Sequence, residues 1–220
     1  MRRFAAVVAA ASTVAACGQP PDPAPPAPAP AAATPTGPMD PGRINRARYE
    51  LPPGYEVAEI SGRVAPLAQW GFGSGWNADP PRCGALADPP LDPASVRGWS
   101  ASGAGGIVYA VAAGGAVPVD PAVLAECATW TMSAGPAGGD VRLTDAPPVA
   151  GTTTVGMAAD ALIVVEGGTE TRSHATTVVA YEAPHLVYVT VVTDPGLPGP
   201  PLEQAFAADL LTKTVAALRS

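Results

Sequence analysis

Leu186-Val187-Tyr188-Val189-Thr190-Val191-Val192 is apolar on both of the faces that a strand presents. Side chains alternate across a strand, so a run without alternation describes a strand covered on both sides. This stretch therefore requires a sheet with a packed layer on each face. Upstream, residues 152–155, 161–166 and 169–181 are rich in Val, Thr, Ile and Tyr. Short turns separate them, among them Gly167-Gly168 and residues 182–184. That order predicts an antiparallel meander. Downstream, residues 194–201 break the pattern. Residues 202–219 then carry Phe206, Ala207, Leu210, Leu211, Thr214, Val215 and Leu218 on one stripe. Asp209 and Lys213 form an i,i+4 pair on the other side of this helix, which is expected to pack on the sheet.

The preceding half is less regular. Leu51-Pro52-Pro53-Gly54 reads as a turn, and residues 55–64 alternate as a first strand. In Trp70-Gly71-Phe72-Gly73-Ser74-Gly75-Trp76 neither strand nor helix period fits, so a loop is expected. Its rings either line an adaptable binding lip, with Trp70, Phe72 and Trp76 as ligand contacts, or plug the core while glycines make the bends. The glycine order lacks the spacing of a phosphate-cradling loop and has no helix directly after it. Asp79-Pro80-Pro81-Arg82 predicts a short helix with Asp79 as its N-cap, and Asp120-Pro121 predicts another. Strands are expected over residues 96–102, 106–112, 129–133 and 140–144, with a glycine-rich loop between the last two.

The chain start is patterned differently. Met1-Arg2-Arg3 is basic, about ten apolar residues follow, and Val14-Ala15-Ala16-Cys17 has small residues before a cysteine. This is the pattern of an export signal over residues 1–16, ending in a lipobox with Cys17 as the acylated residue. The run falls short of the about 20 apolar residues of a spanning helix. An ordinary signal with an incidental cysteine is the plainer alternative. Residues 17–48 then hold the lipidated Cys17 and a Pro/Ala-rich linker. Extended as polyproline II at ~3.1 Å per residue, residues 18–42 reach up to roughly 80 Å. The folded region is expected to start near Ile44 or Tyr49, giving one domain over residues 49–220. The place implied is the outer face of the membrane in the cell envelope, held by lipid.

Removing residues 1–16 takes away Arg2 and Arg3, leaving ten basic against nineteen acidic residues, near −9. Such a surface repels phosphate backbones and argues against nucleic acid as a partner. With Cys17 assigned to lipid, Cys83 and Cys127 remain. An even remainder in an oxidising compartment implies one disulfide, the alternative being two buried thiols. Two cysteines and distant histidines do not make a zinc site, and no cofactor is expected.

The two histidines are His174 and His185. On a hairpin turning near Ala183 they lie roughly 25 Å or more apart and cannot share a metal. Glu170, Arg172 and His174 alternate onto one strand face, which either lines a cleft or meets solvent. Gly98-Trp99-Ser100-Ala101-Ser102 misses the last glycine of a nucleophile elbow. No catalytic residue is assigned.

Leu51-Pro52-Pro53-Gly54-Tyr55-Glu56-Val57, the Pro81-Arg82-Cys83 helix start, the Cys127 region and residues 190–195 resemble mycobacterial lipoproteins. The exported domain of those lipoproteins is similar to the extracytoplasmic sensor domain of the kinase PknH. The likeness covers roughly residues 49–220. It implies an α+β fold, a strongly twisted antiparallel sheet flanked by helices, with a cleft for a ligand. The kinase domain has two disulfides where this chain can make one, so only the Cys83–Cys127 pairing is carried over. The expected role is a tethered binding or sensing module for a small molecule or an envelope protein, without catalysis. A lipid or glycolipid carrier is the alternative, and a hydrolase a further one.

Overall fold

The computed structural model describes residues 37–60, 64–164, 167–193, 196 and 199–220. The signal segment, Cys17, the linker up to residue 36 and Glu166 lie outside the described residues. The strands are β1 Glu56–Ile60, β2 Asn77–Asp79, β3 Arg97–Gly103, β4 Gly106–Gly114, β5 Thr129–Ala134, β6 Ala137–Thr144, β7 Thr153–Val164, β8 Glu170–Glu182 and β9 His185–Thr193. The α-helices are α1 Pro66–Gln69, α2 Gly84–Ala87, α3 Pro121–Glu126 and α4 Gln204–Arg219. No described helix is long and apolar enough to cross a membrane.

All nine strands form one antiparallel sheet in the order β1-β3-β4-β9-β8-β7-β6-β5-β2. The fold is α+β, with α4 packed on the sheet. As its apolar run requires, β9 lies inside the sheet with a core on each side. Leu186 and Tyr188 pack with Trp70, Phe72 and Trp130 on one face. Val187, Val189 and Val191 pack with Leu210, Leu211, Val215 and Leu218 of α4 on the other. Lys213, on the outer side of α4, reaches Asp209 at 3.0 Å and Glu50 at 2.8 Å.

Consecutive strands β1 and β2 occupy opposite edges, so the chain crosses the sheet three times. The crossings carry α1, then α2, then α3. Leu67, Leu86 and Ala87 bury against the core that contains Trp70, and Val123 and Leu124 pack partly on it, so all three crossings share one face. Cys83 and Cys127 form a disulfide between the second and third, with Cα atoms 5.5 Å apart. Asp120 caps α3 as expected, accepting a hydrogen bond from the Ala122 amide at 2.8 Å.

Several boundaries differ from expectation. Residues 152–155 and 161–166 are not two strands: one strand, β7, runs through. A Cβ on Gly156 would lie 2.6 Å from both the Asp145 carbonyl oxygen and the Thr144 hydroxyl. Glycine there admits a close backbone neighbour and does not end the strand. Gly138 and Gly139 likewise belong to β6, and the turn is at Gly135, with φ 57°. Asp79 does not cap a helix; it ends β2, and Pro80 stands before the 3-10 turn Pro81–Cys83 without a side-chain cap. Of the first strand expected over residues 55–64, Glu56–Ile60 is strand and an exposed edge, and residues 61–63 lie outside the described residues.

The packed region also begins before Tyr49. A 3-10 helix, Pro41–Glu50, buries Ile44 and Ala47, and Met39 is buried beside it. Trp99 Nε1 donates to the Ile44 carbonyl at 3.1 Å, and the Asp40 amide donates to the Leu218 carbonyl at 3.0 Å. Residues 39–48, read as the end of a linker, therefore cover the same core as α4. Their sparse apolar spacing, only Met39, Ile44 and Ala47, hid this in the sequence.

Candidate functional site

The helix α4 and the 3-10 helix cover only part of their face of the sheet. Toward β5, β6 and β7 the face stays open. A groove of about 700 Å³ lies there. It is lined by Pro136, Gly138, Asp140, Leu162, Arg172 and Pro201, among others. Antiparallel register puts directly opposed residues on the same face. Asp140 faces Asp160, Asp160 faces His174, and His174 faces Thr193, giving one polar row across four strands. Two residues along, Gly138 faces Leu162 and Leu162 faces Arg172.

Four side chains in and next to these rows are linked. His174 Nδ1 meets Asp160 Oδ1 at 2.7 Å, and Arg142 Nη1 donates to Asp160 Oδ2 at 2.9 Å. Thr176 Oγ1 lies 3.4 Å from His174 Nε2. In the neutral tautomer that donates Nδ1–H to the carboxylate, Nε2 is the acceptor for the threonine hydroxyl. The hydrogen bond from His174 holds the Asp160 carboxyl below the ordinary aspartate value; partial burial opposes this and Arg142 adds to it. A lowered folded pKa contributes stability that is present above the unfolded value near pH 4 and is lost as pH falls through the folded value. His174→Ala should therefore move the Asp160 carboxyl titration midpoint upward when followed by carbon-13 NMR. An unmoved midpoint would remove the histidine as its cause.

The other charges of the groove are not paired. Among the described residues, neither the Asp140 carboxylate nor the Arg172 guanidinium has a hydrogen-bond or ion-pair partner. A Cβ on Gly138 would find nothing nearer than the Met132 carbonyl oxygen at 3.8 Å, so the floor there is open.

The structure divides the sequence-derived candidates. Arg172 and His174 line the groove, whereas Glu170, one alternation further along β8, is exposed outside it. The aromatic residues belong to the opposite face. Trp70 and Phe72 are 1% and 2% exposed, and Trp70 Nε1 donates to Thr177 Oγ1 at 3.0 Å. A Cβ on Gly139 would lie 3.2 Å from Phe72 Cζ, so that ring closes the underside of the strand whose upper side floors the groove. Trp76 is half-buried against Gly84. The lip reading of Trp70 and Phe72 is thus corrected: these rings fill the core. His185 sits beside the hairpin turn, opposite Glu182.

Three residues escaped the sequence reading: Asp140 and Asp160, which line the groove, and Arg142, which reaches Asp160 from beside it. Asp160 had a signal, being the single charged residue within β7. Ser100 and Ser102 lie on β3, with β4 and β9 between them and β8. The register Ser102–Ile107–Val192–Ala175 puts Ser102 on the face opposite His174. Among the described residues no three His, Cys, Asp or Glu side chains gather to hold a metal.

A family model described as "Domain of unknown function (DUF5642)" matches residues 40–219, which is nearly the packed region that begins at Met39. No curated protein matches the chain. Among solved structures, an X-ray structure of an uncharacterised protein from Mycobacterium smegmatis, described as the Rv0999 ortholog, is similar. The identity is 21% and the TM-score 0.59, over 83% of this chain and 98% of that one. At that identity the likeness is one of fold.

Proposed function

The chain belongs to the DUF5642 family, and from the groove of this member we propose that it is a binding or sensing module held by lipid at the outer face of the cell membrane. The observation that carries the reading is the groove itself. It is a recess of about 700 Å³, edged by charged side chains, on a stretch of that sheet face that α4 and the 3-10 helix leave open. Its polar groups come from strands inside a nine-stranded sheet, so they are rigidly placed. A few fixed polar groups in a recess suit recognition of a small polar molecule. The linked set of Asp160, His174 and Thr176 is not matched by an exposed nucleophile, since Thr176 is buried. We therefore read no catalysis into it.

The anchor rests on the sequence: the basic start, the apolar run and the lipobox at Cys17. The disulfide fits an oxidising compartment outside the cytosol. A PknH-like sensor domain is the finer family reading, and its expected sheet-and-helix architecture is compatible with this fold. The carrier reading would need apolar space between sheet and helix. Leu210, Leu211, Val215 and Leu218 fill that space.

Native mass spectrometry of protein purified from its own host, as wild type and as Gly138→Phe, tests both halves. The expected chain begins at Cys17 with the mass of acyl groups. The wild type should retain a small polar molecule that Gly138→Phe loses, because phenylalanine projects into the groove from a backbone that accepts a Cβ. An unmodified residue 17 would end the anchor reading. Equal retention by both proteins would put binding elsewhere, and a lipid held by both would restore the carrier.

A further inference from the structure

We propose that the groove selects a small zwitterion, a short peptide with a free amine at one end and a free carboxylate at the other. The inference rests on the groove being the binding site and names what it takes. Its basis is the two charges left over once the internal pairs are counted. Asp160 is engaged by both Arg142 and His174. Asp140 and Arg172 are engaged by nothing among the described residues. Both line the groove, and they are of opposite sign.

They do not pair with each other in this structure. Asp140 is on β6 and Arg172 on β8, with β7 between them. In register, Asp140 stands opposite Asp160 and Arg172 opposite Leu162, two residues along β7. With strands ~4.8 Å apart and a two-residue offset, their Cα atoms lie about 12 Å apart on the diagonal. The open groove between the two charges is left for a ligand. An ammonium group beside Asp140 would also relieve the repulsion of that carboxylate by Asp160 directly opposite. A carboxylate at the other end suits the planar fork of Arg172. Beside this diagonal lies Gly138, two residues along β6 from Asp140 and across Leu162 from Arg172, where the missing side chain leaves room for a peptide backbone. Two or three extended residues span up to ~10 Å, whereas a single amino acid holds its charges too close together to reach both groups.

Isothermal titration of the full chain with glycine, diglycine and triglycine tests this. Triglycine should bind more tightly than glycine. Acetylating its amine or amidating its carboxylate should each weaken binding about tenfold, the usual weight of one charge-assisted contact. Asp140→Asn should abolish the discrimination against the acetylated peptide, and Arg172→Gln that against the amide. Both side chains are exposed and, among the described residues, unpaired, so both variants should fold. Capped peptides binding as well as free ones, variants that still discriminate, preference for glycine, or no binding by any of the three would overturn the inference. Gly138→Phe separates the two levels. Binding that it abolishes but that ignores the caps keeps the groove and loses the zwitterion; binding that it leaves unchanged loses the groove as well.

Discussion

Trp70→Ala should destabilise the protein by about 3–5 kcal/mol, the range for removing a large buried aromatic and leaving a cavity. Trp70 is 1% exposed and belongs to the core that also holds Tyr188 and Trp130. Its indole N–H reaches Thr177 Oγ1 at 3.0 Å, and Thr177 and Thr190 share a hydrogen bond at 2.9 Å. Next to it, Gln69 Nε2 donates to the Tyr188 hydroxyl at 3.1 Å. Burial raises the Tyr188 phenol far above its ordinary value, and the same cause pushes Tyr181 up to about 12. Neither phenol ionises in the folded state near neutral pH. The pair Gln69 and Trp70 thus pins the first crossing onto β8 and β9 by packing and by two hydrogen bonds. Trp70→Phe keeps most of the packing and removes one donor. The Thr177 hydroxyl keeps Thr190, so the cost should be only about 1–2 kcal/mol. Urea unfolding followed by circular dichroism separates the two variants. Neither should alter ligand binding in the groove, which is on the other face. A Trp70→Ala loss below about 1 kcal/mol would return this ring to the surface.

The second large effect is the disulfide. Replacing Cys83 and Cys127 together by alanine should cost about 4 kcal/mol, because the bond closes a loop with a sequence separation of 44 and so restricts the unfolded chain. That loop contains α2, β3, β4 and α3, which means the bond ties two of the three crossings. A typical domain is stable by only about 5–15 kcal/mol, so the double variant is expected to lie near the limit of folding. Both sulfurs belong to residues with 0% exposure. Dithiothreitol should consequently leave the native protein oxidised and reduce it only as denaturant opens it. Rapid reduction under native conditions, or a double variant as stable as the wild type, would refute this account.

The sequence was most readable where period and burial agreed. The run through Leu186 and Val192 required two covered faces, and the structure supplies two cores. The stripe from Phe206 to Leu218 marked α4 and its packed side because a helix that rests on a sheet keeps its apolar period. Glycine was where the reading went astray. Gly138, Gly139 and Gly156 have the look of loop or turn in the sequence, yet they sit inside strands, at close contacts or an open floor. Sequence shows the missing side chain but not the neighbour it makes room for. Trp70 and Phe72 were ambiguous for a related reason. An aromatic among glycines fits a lip or a plug, and only the tertiary position of α1 decides. The groove was half legible: alternation brought Arg172 and His174 to one face of β8. Asp160, the partner of His174, and Arg142, which pairs with Asp160, come from other strands, and that pairing is set by register across the sheet, which local pattern does not contain.

The two outer strands have a consequence for copies of the protein crowded together. A sheet margin with free backbone groups is a template on which another chain can continue the sheet. Here one margin, β2, is three residues long. The other, β1, carries Glu56 and Glu59, with Glu59 held at 3.6 Å by Arg48. One rim is too short to recruit a neighbour and the other repels its own kind, so polymerisation by sheet extension is disfavoured at both ends.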